Sequence, residues 1–394
     1  MEDVKAKVKE IFPKVQELRR DFHSHPELGF EEVRTSKIVA EILESLGLKV
    51  QKGIAKTGVV GLLDTGKPGP TVALRADMDA LPVRDAKKVA YASKVEGACH
   101  ACGHDGHTAI LLGAAMILSS MKDKFSGKVK FIFQPCEEQL PGGAKPMIEA
   151  GVLEDPKVDN IFGLHLWTNY PIGTVGLKSG PLMASPDSFE IEIIGKGGHG
   201  SAPHEAVDAI VVASQVVMAL QTIVSRSVKP IEPAVVSVGM LKAGYNFNVI
   251  ADVATISGTV RTYSEEVRNL IQTRIEEIVK GITAAYGADY RIKYTRGYPA
   301  VITDEKVTNY AKQIASEVVG GQNVIDAEPV MGGEDFAYYL QKVPGTFAFV
   351  GARNEEKGIN KPHHHPEFDI DEEALAVGVE LMVRYVMENE RLKI

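Results

Sequence analysis

The chain has 394 residues, 44% of them hydrophobic and 24% charged, with a formal net charge of −8. That composition is ordinary for a folded, water-soluble chain, long enough for one large domain or two. The acidic balance argues against nucleic acid or an anionic membrane as the main partner, and no stretch approaches the roughly 18 apolar residues of a membrane span.

The first segment, "MEDVKAKVKEIFPKVQELRRDFH", reads as an amphipathic helix. It lacks the apolar core and small-residue cleavage site of a signal peptide, so a cytoplasmic location is expected. Helical periodicity follows at 32–46 ("EVRTSKIVAEILESL"), with Gly47 as its stop. Strand-like runs come next at 57–64, 71–77, 128–135 and 160–167, with helical segments near 105–120 and 143–150 between them. This alternation predicts an α/β domain with a largely parallel sheet, whose ligands bind at the carboxyl ends of the strands. "RADMDALP", "QPCEEQ" and "HLW" each leave an apolar run at such an end.

From about residue 184 the texture changes. "DSFEIEIIGKG" alternates as a half-exposed strand, and "HEAVDAIVVASQVVMALQTIVSR" is a long helix. Two strands follow, "AVVSVGMLKAG" and "NVIADVATISGTVRTY", then the helix "SEEVRNLIQTRIEEIVKGITAAYG" and the strand "DYRIKYTRG". The order β-α-β-β-α-β is that of a compact ferredoxin-like α+β unit. Alternation resumes from about 300, with "TFAFVGA" as a strand and "DEEALAVGVELMVRYVMENE" as the closing helix. The expected organisation is a discontinuous α/β domain, 1–183 and 297–394, interrupted by an inserted domain at 184–296.

All 11 histidines fall in five short segments: "FHSHPELGF", "CHACGHDGH", "GLHLW", "GGHGSAPHE" and "KPHHHPEFD". Histidines serving only as core or surface residues would spread more evenly. Cys102 and His104 stand in a glycine-containing loop before a helix, where both can point at one ion. Thiolate and imidazole suit zinc and its neighbours. Two other readings stand beside this one. The segment is a polar turn, or Cys99 and Cys102 form a redox pair in which the flanking histidines have no role. Three cysteines without a secretion signal speak against a disulfide scaffold.

Glu137 and Glu138 follow the apolar run "FIF". They are either solvated charge or a division of labour, one carboxylate on an ion and the other taking a proton from water. His165, alone in "GLHLW", reads on its own as a hydrogen-bonded core histidine. Of the three consecutive histidines in "KPHHHPEFD", at most two can face one site. Asp77 and Asp79, at a strand end, are candidates to orient a metal-bound histidine. "HSHPELGFEE" reads as a turn between helices that lines the site.

Eight segments run in order over nearly the whole chain: "HSHPELGFEE", "ALRADMDALP", "CHACGHDGHTA", "FQPCEEQLPGGAKPMIEAG", "GLHLW", "GKGGHGSAPH", "GGEDF" and "HHHPEFDIDEEAL". Together they closely resemble the aminoacylase/carboxypeptidase group of co-catalytic metallopeptidases. Within it they resemble the subgroup of hippurate hydrolases, plant auxin-conjugate hydrolases, N-acetyldiaminopimelate deacetylases and thermophilic zinc carboxypeptidases. The resemblance implies a mostly parallel-sheet catalytic domain with helices on both faces, carrying two divalent ions. The inserted domain becomes a lid that also forms the contact of a homodimer, with further pairing into a tetramer left open.

The same resemblance implies Cys102, His104, Glu138, His165 and His364 as metal ligands. His364 is chosen because the family's C-terminal ligand lies two residues before the proline. Glu137 becomes the general base and Asp79 the orienter of a ligand. His199 reaches a neighbouring subunit's site and polarises the scissile carbonyl. Asn248 and Arg261 hold polar groups of the substrate, Arg261 its free α-carboxylate. Gly332 and Gly333, in "GGEDF", supply a substrate-facing turn. Cys99 and Cys136 depart from the subgroup's usual methionine and alanine.

The expected activity is hydrolysis of the amide bond of N-acyl-L-amino acids, by metal-activated water with a glutamate base. Zinc is the first choice of metal, with Mn, Co or Ni as alternatives, because a mixed thiolate, imidazole and carboxylate set does not separate them. The partner is a small N-acyl amino acid or short peptide, with no nucleic acid and no membrane. A metallocarboxypeptidase or dipeptidase on the same site, or an N-acetyldiaminopimelate deacetylase, is the nearest alternative. Outside the class stand a binding protein with a decayed site and a thiol oxidoreductase.

Overall fold

The computed structural model describes residues 2–392, which form two compact units. The first comprises the chain up to Leu182, Ile302–Glu328 and the chain from Asp335 onward; the second comprises Met183–Val301 and Pro329–Glu334.

The first unit is built on an eight-stranded sheet. Its strand order is Lys49–Ile54, Gly58–Asp64, Lys128–Gln134, Thr71–Asp77, Asn160–Pro171, Gly345–Arg353, Val175–Leu177 and Val324–Asp326. The middle four, from Lys128–Gln134 to Gly345–Arg353, pair in parallel. Gly58–Asp64 and Val175–Leu177 run antiparallel to their neighbours in this group. Thr71–Asp77 is buried at every position, as befits a central parallel strand covered on both faces.

Helix His104–Ser120 is buried over most of its length. It packs with the N-terminal helix Glu2–Ser24 and the closing helix Glu373–Met387. Gly113 permits the close approach: a Cβ there would lie 2.8 Å from Val15 Cγ2 and 2.9 Å from Val379 Cγ2. Helix Val33–Ser45 ends at Gly47, whose φ of 78° is the left-handed stop expected of it. Asp77 pairs with Gln134 in register, and Met78 N–H donates to the Gln134 carbonyl at 2.9 Å. The segments that follow these two strands therefore leave the sheet side by side. That places Asp79 next to the Glu137–Glu138 turn.

The second unit has the order β-α-β-β-α-β: Ser185–Ile194, Ala209–Thr222, Ala234–Ala243, Val253–Thr262, Glu265–Tyr286 and Asp289–Thr295. Its four strands pair antiparallel, with Ala234–Ala243 and Asp289–Thr295 at the edges. Local chemistry sets the helix ends. Asp208 accepts from Ile210 N–H, Ser264 accepts from Val267 N–H, and Gly287 closes the second helix at φ 68°. Asp187 takes Arg268 Nε at 2.9 Å, Tyr294 Oη at 2.8 Å and Gly297 N–H at 2.9 Å, fastening sheet to helix.

One expectation is corrected here. The run Ala209–Ser227, with mean hydropathy 1.5, is long and apolar enough by composition to cross a membrane. Ala209, Val212, Ala213, Val216 and Leu220 enter the core of the unit. Ile210, Val211 and Met218 are apolar too, yet exposed. Apolar side chains on both sides of the helix raise the mean.

Candidate metal centre

The loop before helix His104–Ser120 and the strand Asn160–Pro171 bring Cys102, His104 and His165 together, with one donor atom from each mutually within 4.8 Å. Cys102 Sγ lies 3.4 Å from His165 Nε2. Cys102, Glu138 and His364 satisfy the same criterion, and so do His104, Glu137 and Glu138. Cys102 thus belongs to two overlapping donor groups, as a ligand near two ions would.

Hydrogen bonding fixes which ring nitrogen of each histidine is free. His104 Nδ1 lies 2.9 Å from the Asp79 carbonyl, an acceptor only, so Nδ1 carries the proton. His104 Nε2 is buried and makes no hydrogen bond. His165 Nδ1 donates to the Leu166 carbonyl at 2.8 Å, which leaves its Nε2 facing Cys102. His165 is therefore a hydrogen-bonded core histidine whose unprotonated Nε2 faces the Cys102 sulfur. His363 spends its Nε2 on the Leu166 carbonyl at 2.9 Å. His364, at φ 67°, turns instead toward Glu138, with Nε2 3.4 Å from Oε1.

The two strand-end aspartates divide their work. Asp79 also approaches His104 Nδ1 through its carboxylate at 3.2 Å, and accepts the Glu138 N–H at 3.0 Å. Asp77 holds His107 Nδ1 at 2.6 Å, while His107 Nε2 accepts the Leu166 N–H at 2.9 Å. His107 thus ties the strand that carries His165, through Nε2, to Asp77 at the end of the neighbouring strand, through Nδ1.

Glu137 is 7% exposed, and its Oε1 faces the Asp335 N–H at 3.4 Å. Asp335 accepts from Arg75 NH2 at 2.8 Å, from Gln134 Nε2 at 2.8 Å and from the Ala144 N–H at 2.9 Å. Arg75 joins this group to Asp77 at 2.7 Å. In "GGEDF" the sequence marks only the glycines; Asp335, and Arg75 in "ALRAD", are site residues that it does not reveal. Their separation along the chain conceals the contact.

Five expected residues lie in the second unit. His199 and Val249 are paired across a short two-stranded ladder, and Gly200 N–H donates to the Asn248 carbonyl at 2.8 Å. His199 and Asn248 are therefore neighbours, both exposed. Ser201 N–H points at His199 Nδ1 at 3.1 Å, so Nδ1 is an acceptor and the neutral ring carries its proton on Nε2. Arg261 is half-buried beside the carbonyls of Asp187 and Val260. Gly332 donates no side chain, and its carbonyl accepts the Ala184 N–H at 2.9 Å. A Cβ at Gly333 would lie 2.5 Å from Pro186 Cγ. These two glycines are close-packed against the start of the unit's first strand.

The three cysteines are free and buried. Cys99 and Cys102 have separate neighbours, Lys87 Nζ at 3.7 Å from one and His165 Nε2 at 3.4 Å from the other. His25 of "HSHPELGFEE" directs Nδ1 to the Asp21 carbonyl at 2.9 Å.

The donor set fits divalent ions. Buried polar atoms are nearly always hydrogen-bonded, yet His104 Nε2 and Glu138 Oε1 are not. Burial, then the carboxylates of Glu138 and Glu137, push the Cys102 thiol well above its ordinary range. Burial pulls the His104 ring down, but Asp77 and Asp79 outweigh it and lift the ring to about 10. Beyond burial, both shifts reflect the negative charge of the surrounding carboxylates, which a cation would neutralise.

This sheet and donor cluster, with the family match over residues 73–388, define a metal-dependent hydrolase of linear amide bonds. The chain belongs to the peptidase family M20/M25/M40, whose profile matches residues 73–388. It is 45% identical over 381 residues to thermostable carboxypeptidase 2 of Saccharolobus solfataricus, covering 96% of each chain. It is 43% identical over 362 residues to the N-acetylcysteine deacetylase of Bacillus subtilis, covering 92% of this chain and 93% of the other. Among solved structures, the YXEP protein of Bacillus subtilis, described as a dinuclear metal-binding peptidase of the M20 family, matches with a TM-score of 0.85 at 39% identity. That match covers 98% of this chain and 100% of the other.

Proposed function

We propose that this chain hydrolyses the amide bond of N-acyl-L-amino acids. The observation that carries this reading is Glu137: a buried carboxylate facing the Asp335 N–H, inside the donor cluster of His104 and Glu138. Cys102, His104, Glu138, His165 and His364 would hold two divalent ions, zinc first and Mn, Co or Ni as alternatives. When bound, the ions polarise the scissile carbonyl and make water a stronger acid.

Glu137 takes the proton of the attacking water and returns it to the amine as the carbon–nitrogen bond breaks. The products are a carboxylate and a free amino acid. Asp79 keeps His104 in the tautomer that presents Nε2. His199 offers its Nε2–H to the carbonyl oxygen as charge develops there, in the other subunit of a homodimer. Asn248 and Arg261 bind polar groups of the substrate, Arg261 its α-carboxylate, and Gly332 and Gly333 supply a turn of the chain that faces it.

The second unit, as lid and dimer contact, is supported by its exposed apolar side chains: Met218 at 69%, Ile231 at 87% and Phe247 at 98%. A cytoplasmic homodimer without a membrane partner is part of this reading.

Carboxypeptidase or dipeptidase activity is the second reading, supported by likeness to a protein named a carboxypeptidase. Amine release from N-acetyl, N-benzoyl and N-benzyloxycarbonyl amino acids, beside free and blocked dipeptides, separates the two. Each is assayed as purified, after chelation, and after return of Zn, Mn, Co or Ni. Chelator-sensitive release from acyl amino acids supports the first reading; preference for peptides supports the second. Absence of release with every metal overturns both.

A further inference from the structure

Glu32 ends the segment "HPELGFEE", which has no chemical role in the mechanism above. Its side chain is fully buried. Oε1 accepts the Cys136 N–H at 2.8 Å and Oε2 accepts the Thr57 hydroxyl at 2.5 Å. Cys136 immediately precedes Glu137 and has a φ of 51°. L-residues avoid this left-handed region, and one persists there only where its surroundings hold it.

The rest of the segment points the same way. The Glu27 carboxylate caps helix Val33–Ser45, accepting the N–H groups of Arg34 and Thr35 at 2.8 Å each. The Glu27 carbonyl accepts the Ala80 N–H at 2.8 Å, one residue after Asp79. Gly29 lies so close to the turn that a Cβ there would be 2.7 Å from Cys136 Sγ. One short segment, anchored on a helix end, therefore touches both the stretch carrying Asp79 and the stretch carrying Glu137 and Glu138.

We propose that Glu32 is a positioning residue for the Glu137–Glu138 turn, holding Cys136 in the left-handed conformation that directs the Glu137 carboxylate into the site. It acts through the backbone and touches no substrate. The inference rests on the reading of Glu137 as the base.

The test compares Glu32→Ala with Glu32→Gln, whose amide oxygen can still accept the Cys136 N–H. Metal content, kcat and KM are measured on an N-acetyl amino acid, with Glu137→Gln alongside. For Glu32→Ala, kcat per metal-loaded chain is expected to fall about 10–100-fold, as outer-shell changes do, with KM and metal content near wild type. Glu32→Gln should recover most of that loss. A residue needed for stability alone would move the unfolding midpoint and leave kcat per loaded chain unchanged.

Gly29→Ala is the second probe, because it presses on Cys136 without removing a carboxylate. It should lower kcat, and Gly29→Ala/Cys136→Ala should recover part of the loss. This pair decides the matter if Glu32→Ala fails to fold. Wild-type kcat in Glu32→Ala, or equal loss in Glu32→Gln with Gly29→Ala unaffected, overturns the proposal. A fully active Glu137→Gln removes the base assignment itself. An inactive Glu137→Gln beside a wild-type Glu32→Ala overturns the positioning alone.

Discussion

Asp79 grips His104 twice, through its carbonyl at 2.9 Å and its carboxylate at 3.2 Å, both on Nδ1. The same carboxylate accepts the Glu138 N–H at 3.0 Å. One aspartate thus sets the orientation of two candidate ligands from different parts of the chain, and the free His104 Nε2 is the outcome.

Asp79→Ala should accordingly weaken metal binding by about 10–100-fold. The backbone carbonyl still holds the His104 tautomer, so binding should not be abolished. Metal retained against a competing chelator is the measurement, and unchanged retention would show that the carboxylate orients nothing.

Glu137→Gln keeps the shape of the side chain and removes its basicity. It should retain its ions and lose about 10²–10⁴-fold in kcat, the usual worth of a positioned acid–base group. Metal analysis with steady-state kinetics checks this. Loss of metal together with activity would instead make Glu137 a ligand.

His23 lies buried between Asp105, 2.6 Å from Nδ1, and Asp85, 3.3 Å from Nε2. Burial lowers its pKa, but attraction to Asp105 and hydrogen bonds to Asp105 and Asp85 prevail, lifting it from 6.5 to about 10. The folded state binds this proton more tightly than the unfolded chain. Its stabilisation is therefore complete below about pH 6.5 and is lost as pH rises through about 10. Denaturant midpoints of wild type and His23→Gln should converge over that range. A constant difference across it would mean that His23 folds without its proton.

In the second unit, Asp187→Ala removes the partner of a buried guanidinium. Arg268, 4% exposed, would keep Glu265 as its carboxylate partner among the described residues. Tyr294 Oη and Gly297 N–H lose their acceptor as well. Breaking such a buried pair costs about 3–5 kcal/mol, read as a drop in the urea midpoint. A change within experimental error would mean that water replaces the carboxylate.

Much of the architecture was legible because its signals are local. Residues 71–77 read as a strand from a short apolar run, and Gly47 as a helix stop from its place after the periodic stretch. The second unit's β-α-β-β-α-β order follows from pattern periods that change from 2 to 3.6 at recognisable turns. The concentration of 11 histidines in five segments points to metal chemistry from the sequence alone. The apolar run beginning at Ala209 reads as a long helix, and the structure has one over Ala209–Thr222; composition does not tell which of its faces is covered.

Side-chain type and spacing thus determined which residues could serve as ligand, base or orienter. Only the tertiary structure decided which ring nitrogens of His104 and His165 point into the site, and that Asp79 and Asp77 serve different rings. It alone brought Glu32 to Cys136 across 104 positions and Asp335 to Glu137 across 198. Those contacts depend on the order of strands in the sheet, where Lys128–Gln134 lies beside Thr71–Asp77. Hydrogen bonds act over about 3 Å, whereas periodicity and propensity are properties of neighbours along the chain. A pattern of neighbours carries no record of which distant segment comes to lie alongside.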